Sequence, residues 1–157
     1  MIKGFLYHEL EVDVSADDLW EIYGTIRLAK VVVEMIPHVI LKVEVEEGDG
    51  GVGTIIRTSY PPGSSGPKYS KQKFVKVDNE KHVKEIKVIE GGLIELGFSS
   101  YLIHFEIIEK EKSISIIKSS ILYELKDDHI DVISLASIVP SVHVANTVVK
   151  HIKESKI

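Results

Sequence analysis

A change of rhythm at residue 127 constrains this chain more than any other feature. Before it, apolar residues come in short runs with a period of two, the signature of half-buried strands, at residues 6–12, 41–45, 54–60, 69–77, 82–89, 93–109 and 113–125. After it, the stripe Ile130, Ile133, Ser137, Pro140, Val144, Val148 and Ile152 recurs at roughly 3.6 residues, which predicts one long amphipathic helix over residues 127–153. Pro140 lies inside that stripe and predicts a kink there. Two short helices precede the main run of strands. Ser15 and Asp18 resemble a capping box ahead of Leu19, Trp20 and Tyr23, and a second helix over residues 26–34 stops before Pro37. The order is strand, two short helices, a series of strands, long helix. It implies an α+β fold in which a curved antiparallel sheet wraps one long helix. A sheet of that extent coils as it twists, and the wrap leaves an internal apolar cavity between sheet and helix, a usual place for a ligand.

The remaining bounds are simple. At 157 residues the chain suits one domain, residues 1–157. The loop 61–67, rich in Pro, Gly and Ser, is too short and too closely framed by strands to be a linker. Asp78-Asn79-Glu80 and Lys110-Glu111-Lys112 read as hairpin turns. The absence of cysteine excludes a disulfide framework and thiolate chemistry. A formal net charge of −5, with lysines scattered among acids, argues against a nucleic-acid partner. No apolar run approaches the ~20 residues of a membrane span, and the start is too short in apolar residues for a signal peptide. The expected location is cytoplasmic.

One motif invites a wrong assignment. Gly48, Gly50 and Gly53 satisfy the G-x-G-x-x-G spacing of dinucleotide-binding loops. That chemistry requires a helix opening directly after the loop, so that its N-terminus faces the pyrophosphate. Here residues 54–60 read as a strand, and Glu46, Glu47 and Asp49 would repel phosphate. The segment is a glycine-rich hairpin.

The residues that could carry chemistry lie on strand faces. Lys84 shares a face with Ile86 and Val88. Either its stem packs along the strand and the ammonium snorkels out to water, or the amine points into the cavity. In the cavity, desolvation would lower its pKa and suit it to proton transfer. Ser70, Gln72 and Phe74 share a face on the neighbouring strand, as do Tyr101, Ile103 and Phe105 further on. On the C-terminal helix His143 stands beside Pro140, Val144 and Thr147, as a border residue or as a base facing the cavity. The seven histidines show no metal-ligand spacing, and there is no G-x-S-x-G elbow. No metal or cofactor is expected.

These residues together resemble a known family. The strand-helix-helix start, the loop Glu47-Gly48-Asp49-Gly50-Gly51-Val52-Gly53-Thr54, the segment Val88-Ile89-Glu90-Gly91-Gly92 and the long C-terminal helix resemble the Bet v 1-like, or pathogenesis-related class 10, birch-pollen-allergen family. Within it the chain is most similar to plant norcoclaurine synthases, through His8-Glu9-Leu10-Glu11-Val12, Ser15-Ala16-Asp17-Asp18-Leu19-Trp20, Tyr60-Pro61-Pro62-Gly63, the run from Lys73 to Glu80, and Ile117-Lys118-Ser119-Ser120. The resemblance implies a helix-grip fold: a seven-stranded antiparallel sheet gripping the long helix around a large apolar cavity. It also implies a Pictet–Spengler cyclisation of an amine with an aldehyde, carried by a lysine, a tyrosine, a glutamate and an aspartate. Lys84 stands at the lysine position, whereas Ser70, Gln72 and Ile103 stand where the tyrosine, glutamate and aspartate would be. Both carboxylates are therefore missing, and His143 falls where the subgroup has a small residue.

Two functions follow as expectations. One is a norcoclaurine-synthase-like enzyme of alkaloid metabolism, a cyclase or isomerase with Lys84 and His143 as its proton-transfer residues. The other is a non-catalytic, defence-related carrier or receptor for small apolar or aromatic ligands such as a cytokinin-like hormone, a flavonoid or an alkaloid. In either case Ser70, Gln72, Phe74, Tyr101, Ile103, Pro140 and Val144 would line the ligand site. The chain is expected to be a monomer or a weak homodimer.

Overall fold

The structure, a computed structural model, describes residues 1–63 and 66–156. Seven strands form one antiparallel sheet: β1 (Ile2–Val12), β2 (Lys42–Glu47), β3 (Ile55–Ser59), β4 (Tyr69–Asp78), β5 (Val83–Gly91), β6 (Phe98–Glu111) and β7 (Ile114–Leu125). Their spatial order is β1-β7-β6-β5-β4-β3-β2. Consecutive hairpins build the run from β2 to β7, and β1 closes against β7, so β1 and β2 are the two edges. Between these edge strands the chain crosses through α1 (Ala16–Tyr23) and α2 (Arg27–Met35). The helix α4 (Val139–Ser155) lies on the same side, packing against α1 and α2.

Local chemistry accounts for these elements. Ser15 caps α1 by accepting the Asp18 N–H at 3.2 Å, while the Asp18 carboxylate pairs with Lys156 near the end of α4 at 2.7 Å. Trp20 anchors the same helix to the turn after β4: its indole N–H donates to Asn79 at 3.0 Å and its ring stacks on His82. Leu19 and Tyr23 are fully buried beneath it. The glycine-rich segment is a hairpin, since β2 and β3 pair directly on either side of it. Gly48 has a φ of +91°, and a Cβ there would stand 2.5 Å from the Thr54 hydroxyl, so only glycine fits. That hydroxyl accepts the Gly50 N–H at 2.9 Å and holds the loop closed.

The long helix departs from expectation. Residues 127–153 do not form one helix kinked at Pro140. Asp127–Leu135 is a 3₁₀ segment with a non-helical residue at His129, Ala136 is extended, and the α-helix begins only at Val139. Pro140 falls in the first turn of α4, where its missing N–H has no helical partner to lose, so it opens the helix instead of bending it. An 18-residue window within Asp127–Ser155 reaches a mean hydropathy of 1.7, long and apolar enough by composition to cross a membrane. The break at Ala136 interrupts it, and such a break in lipid would leave backbone groups unpaired. A second departure precedes β6. Residues 93–97 are not strand: α3 (Gly92–Glu95) makes one helical turn, entered through positive φ at Gly91 and Gly92. The Lys110-Glu111-Lys112 turn also shifts, because β6 runs on to Glu111. Of the loop 61–67, residues 64 and 65 lie outside the described residues.

Candidate functional site

The concave face of the sheet and the helices enclose a cavity of about 490 Å³, within the usual range for small-molecule sites. Its walls follow from strand alternation. β3 contributes Ile56 and Thr58, β4 Ser70, Gln72 and Phe74, β5 Lys84, Ile86 and Val88, and β6 Tyr101, Ile103 and Phe105. Antiparallel register keeps these sets in phase: Thr58 stands opposite Ser70, Phe74 opposite Ile86, Lys84 opposite Phe105 and Ile86 opposite Ile103. Leu28, Ala29 and Val32 of α2 and Pro140, Ser141 and Val144 of α4 close the other side.

Lys84 is 1% exposed, so its amine does not reach bulk water. The ammonium donates to the Tyr23 carbonyl at 3.0 Å and to the Thr25 carbonyl at 3.4 Å. Tyr23 is the last residue of α1, so Lys84 supplies a donor to the carbonyl end of a helix, where partners are missing and the dipole favours a cation. The Phe74 ring lies 4.1 Å from the nitrogen and adds a cation–π contact. Burial nonetheless pushes the Lys84 pKa down to about 8. Among the described residues no Asp or Glu lines the cavity. The amine therefore has no carboxylate beside it among the described residues lining the cavity, and near its pKa it can both give and take a proton.

A chain of neutral polar groups occupies another part of the wall. Thr58 Oγ1 donates to Gln72 Oε1 at 3.4 Å, Gln72 Nε2 donates to Ser70 Oγ at 3.3 Å, and Ser70 Oγ is 3.0 Å from the Tyr60 hydroxyl. Burial raises the Tyr60 pKa, with the Ser70 hydrogen bond opposing it, so the phenol stays neutral and can donate. Tyr101, whose pKa burial also raises, accepts the Ser137 N–H at 3.5 Å and ties β6 to the segment leading into α4.

Of the residues expected from the sequence, Lys84, Ser70, Gln72, Phe74, Tyr101, Ile103, Pro140 and Val144 all line the cavity. His143 does not: it is exposed and outside the lining, which corrects its expected position as a cavity base. The buried residues of α4 are Ser141, Ala145, Thr147, Val148 and Ile152. Two residues beyond Ser141, at roughly 100° per residue, His143 is turned away from Ser141, Ala145, Val148 and Ile152 and is exposed, although Thr147 one turn later is buried. Thr58, Tyr60, Thr25 and Ser141 were not expected in the wall. The alternation Ile56, Thr58, Tyr60 within the expected strand 54–60 held the signal for two of them.

Comparison with known proteins agrees with this geometry. Residues 1–154 match the Pathogenesis-related protein Bet v 1 family. A norbelladine synthase from Narcissus pseudonarcissus is 50% identical over 155 residues, which cover 99% of this chain and 95% of that protein. An S-norcoclaurine synthase from Thalictrum flavum subsp. glaucum is 37% identical over 156 residues, 99% of this chain and 73% of that protein. The solved structure of a Thalictrum flavum norcoclaurine synthase point mutant with a transition-state analogue superimposes with a TM-score of 0.91 at 36% identity, covering 99% of this chain and 98% of that one. Another, with dopamine and hydroxybenzaldehyde bound, gives 0.88 at 36% identity, covering 98% and 88%. The seven-stranded grip around a cavity, the amine within it and these relatives lead to one conclusion: the chain belongs to the Bet v 1 family and is similar to its norbelladine and norcoclaurine synthases.

Proposed function

We propose that this protein joins an arylethylamine to an aromatic aldehyde within the cavity, with Lys84 moving the protons, and that the reaction halts at the imine. The observation that carries the reading is a buried amine with a pKa of about 8 in a wall that holds no carboxylate among the described residues. The neutral substrate amine adds to the carbonyl and gives a carbinolamine. The Lys84 ammonium protonates its hydroxyl, water leaves, and an iminium forms. The now neutral Lys84 takes the N–H proton back, so the balance is amine plus aldehyde to imine plus water. With a pKa near the operating pH, one group serves as acid and then as base.

Ring closure would need the iminium to persist while the aromatic ring attacks it. Gln72 and Ile103 supply no negative charge, and an uncompensated cation in an apolar site costs several kcal/mol. Loss of the N–H proton removes that charge at once, which favours the open imine. The chain Thr58–Gln72–Ser70–Tyr60 offers donors and acceptors for phenolic hydroxyls of the substrates.

The test mixes dopamine and 4-hydroxybenzaldehyde with the protein and quenches with borohydride. An imine gains two hydrogens and becomes a secondary amine, whereas a ring-closed product is unchanged, so mass spectrometry separates them. The expected result is protein-dependent secondary amine that falls to the background rate in Lys84→Met. Turnover no faster than in buffer would overturn the reading. The predominantly apolar lining favours a second reading, a non-catalytic carrier. Micromolar binding of aromatic ligands without turnover would establish it instead.

A further inference from the structure

The two edges of the sheet are unlike. β2 is six residues long, carries a register break between Val45 and Glu47, and presents Glu44, Glu46 and Glu47. Those features blunt an edge against pairing. β1 also carries charges, at Lys3, Glu9 and Glu11, but is neither short nor broken in register. It runs for eleven residues in unbroken register with β7, contains no proline, and holds two exposed aromatics on its outer face, Phe5 at 59% and Tyr7 at 55% exposure. Their rings stack on each other at 6.0 Å, and the exposed Leu122 stands opposite Phe5 on β7.

We propose that β1 is a homodimer interface, pairing antiparallel with β1 of a second copy about a twofold axis at Leu6. The sequence Ile2-Lys3-Gly4-Phe5-Leu6-Tyr7-His8-Glu9-Leu10 is self-complementary in that register. On the outer face Lys3 meets Glu9 and Phe5 meets Tyr7, each pair occurring twice by symmetry. On the inner face Leu6 meets Leu6, Ile2 meets Leu10 and Gly4 meets His8, the space over Gly4 being filled by the Tyr123 ring of its own chain. Opposite charges and aromatic pairs directly across a strand pair are the stabilising combinations, and like charges there are unfavourable. Lys3 and Glu9 make only exposed pairs within the chain, with Glu124 at 3.5 Å and Lys118 at 3.7 Å, so both can turn toward a partner. One strand pair buries less than a standard interface of about 1,600 Å², so the dimer is concentration-dependent, not obligate.

Sedimentation velocity from low to high micromolar concentration tests this. The wild type is expected to shift from monomer to dimer. Lys3→Glu places acid against acid at both ends, and Glu9→Lys places base against base, so each variant alone should stay monomeric. Mixed together they should form a heterodimer, because every end then pairs Glu with Lys. Circular dichroism and thermal melting establish that each variant is folded. Tyr7→Ser, which touches no ion pair, is a second probe and should weaken the dimer about tenfold by removing both aromatic pairs. A wild type monomeric at every concentration overturns the proposal. So does a Glu9→Lys variant that still dimerises, or a mixture that stays monomeric when the wild type does not.

Discussion

Replacing Lys84 by Met separates the energetic cost of the buried amine from its chemical use. Burial lowers the Lys84 pKa from 10.5 to about 8. At roughly 1.4 kcal/mol per pH unit, that fall is equivalent to about 3 kcal/mol of folding free energy forgone whenever the amine is charged. The sign follows from proton counting. Below pH 8 the folded and unfolded chains both hold the proton and the whole penalty is present. Between pH 8 and 10.5 the unfolded chain holds it and the folded chain does not, so stability rises with pH across that window. Lys84→Met carries no such group. The wild type should therefore gain about 2 to 3 kcal/mol on the variant between pH 7 and pH 10, measured by urea unfolding at both values. The difference at pH 7 alone is less informative. There the variant escapes the penalty but strips the Tyr23 and Thr25 carbonyls of a donor, at about 1 kcal/mol each. The same titration should appear in turnover, with activity changing about a pKa near 8 and absent in the variant. A stability difference independent of pH, or one moving in the variant's favour as pH rises, would refute the reasoning, since it would mean the ammonium is as well solvated in the fold as in water.

Two further outcomes follow from the geometry. His143→Ala should leave both turnover and ligand affinity within about twofold of the wild type, because the imidazole lies on the exposed face of α4; a tenfold loss in the same assays would put it back in the site. Tyr23→Phe removes a hydroxyl that is buried without a hydrogen-bond partner, while keeping the ring edge-on to Phe105, and should be neutral or stabilising by about 1 kcal/mol in urea unfolding; a loss of that size would reveal a partner for the phenol.

The inner face of the sheet was legible in the sequence because antiparallel pairing conserves phase between bulges; on β4 the register shifts between Phe74 and Lys76, so that Val77 stands opposite Lys84. Once Phe74 was placed inward, Gln72 and Ser70 followed from the period of two, and Lys84 came inward with Ile86 and Val88. The C-terminal third was less legible for the same physical reason in reverse. A stripe from Ile130 to Ile152 is read by assuming one unbroken 3.6-residue phase, and the extended Ala136 resets that phase. Val144 and Pro140 survived near the edge of the true stripe, but His143 did not. Wall residues from the segment between α2 and β2, His38, Val39 and Ile40, carry no periodicity and were beyond pattern reading.

What most shapes the site is also what a motif cannot display. The Lys84 ammonium is held by backbone carbonyls at the α1–α2 junction, so its electrostatic environment depends on where α1 ends and not on which side chains stand there. That end point is fixed from a distance: Ser15 caps the start of α1, and Asn79 and His82 grip Trp20. Burial lowers the Lys84 pKa, while the groups the ammonium touches are two backbone carbonyls and the Phe74 ring, so its contacts include no side-chain carboxylate among the described residues. Under the proposed function, substitutions elsewhere in the wall would change which charged intermediates the cavity tolerates while leaving Lys84 in place. On the same proposal, Gln72 and Ile103 are the positions at which a ring-closing site and one that releases an open imine would differ, with the carbonyl contacts of Lys84 unchanged.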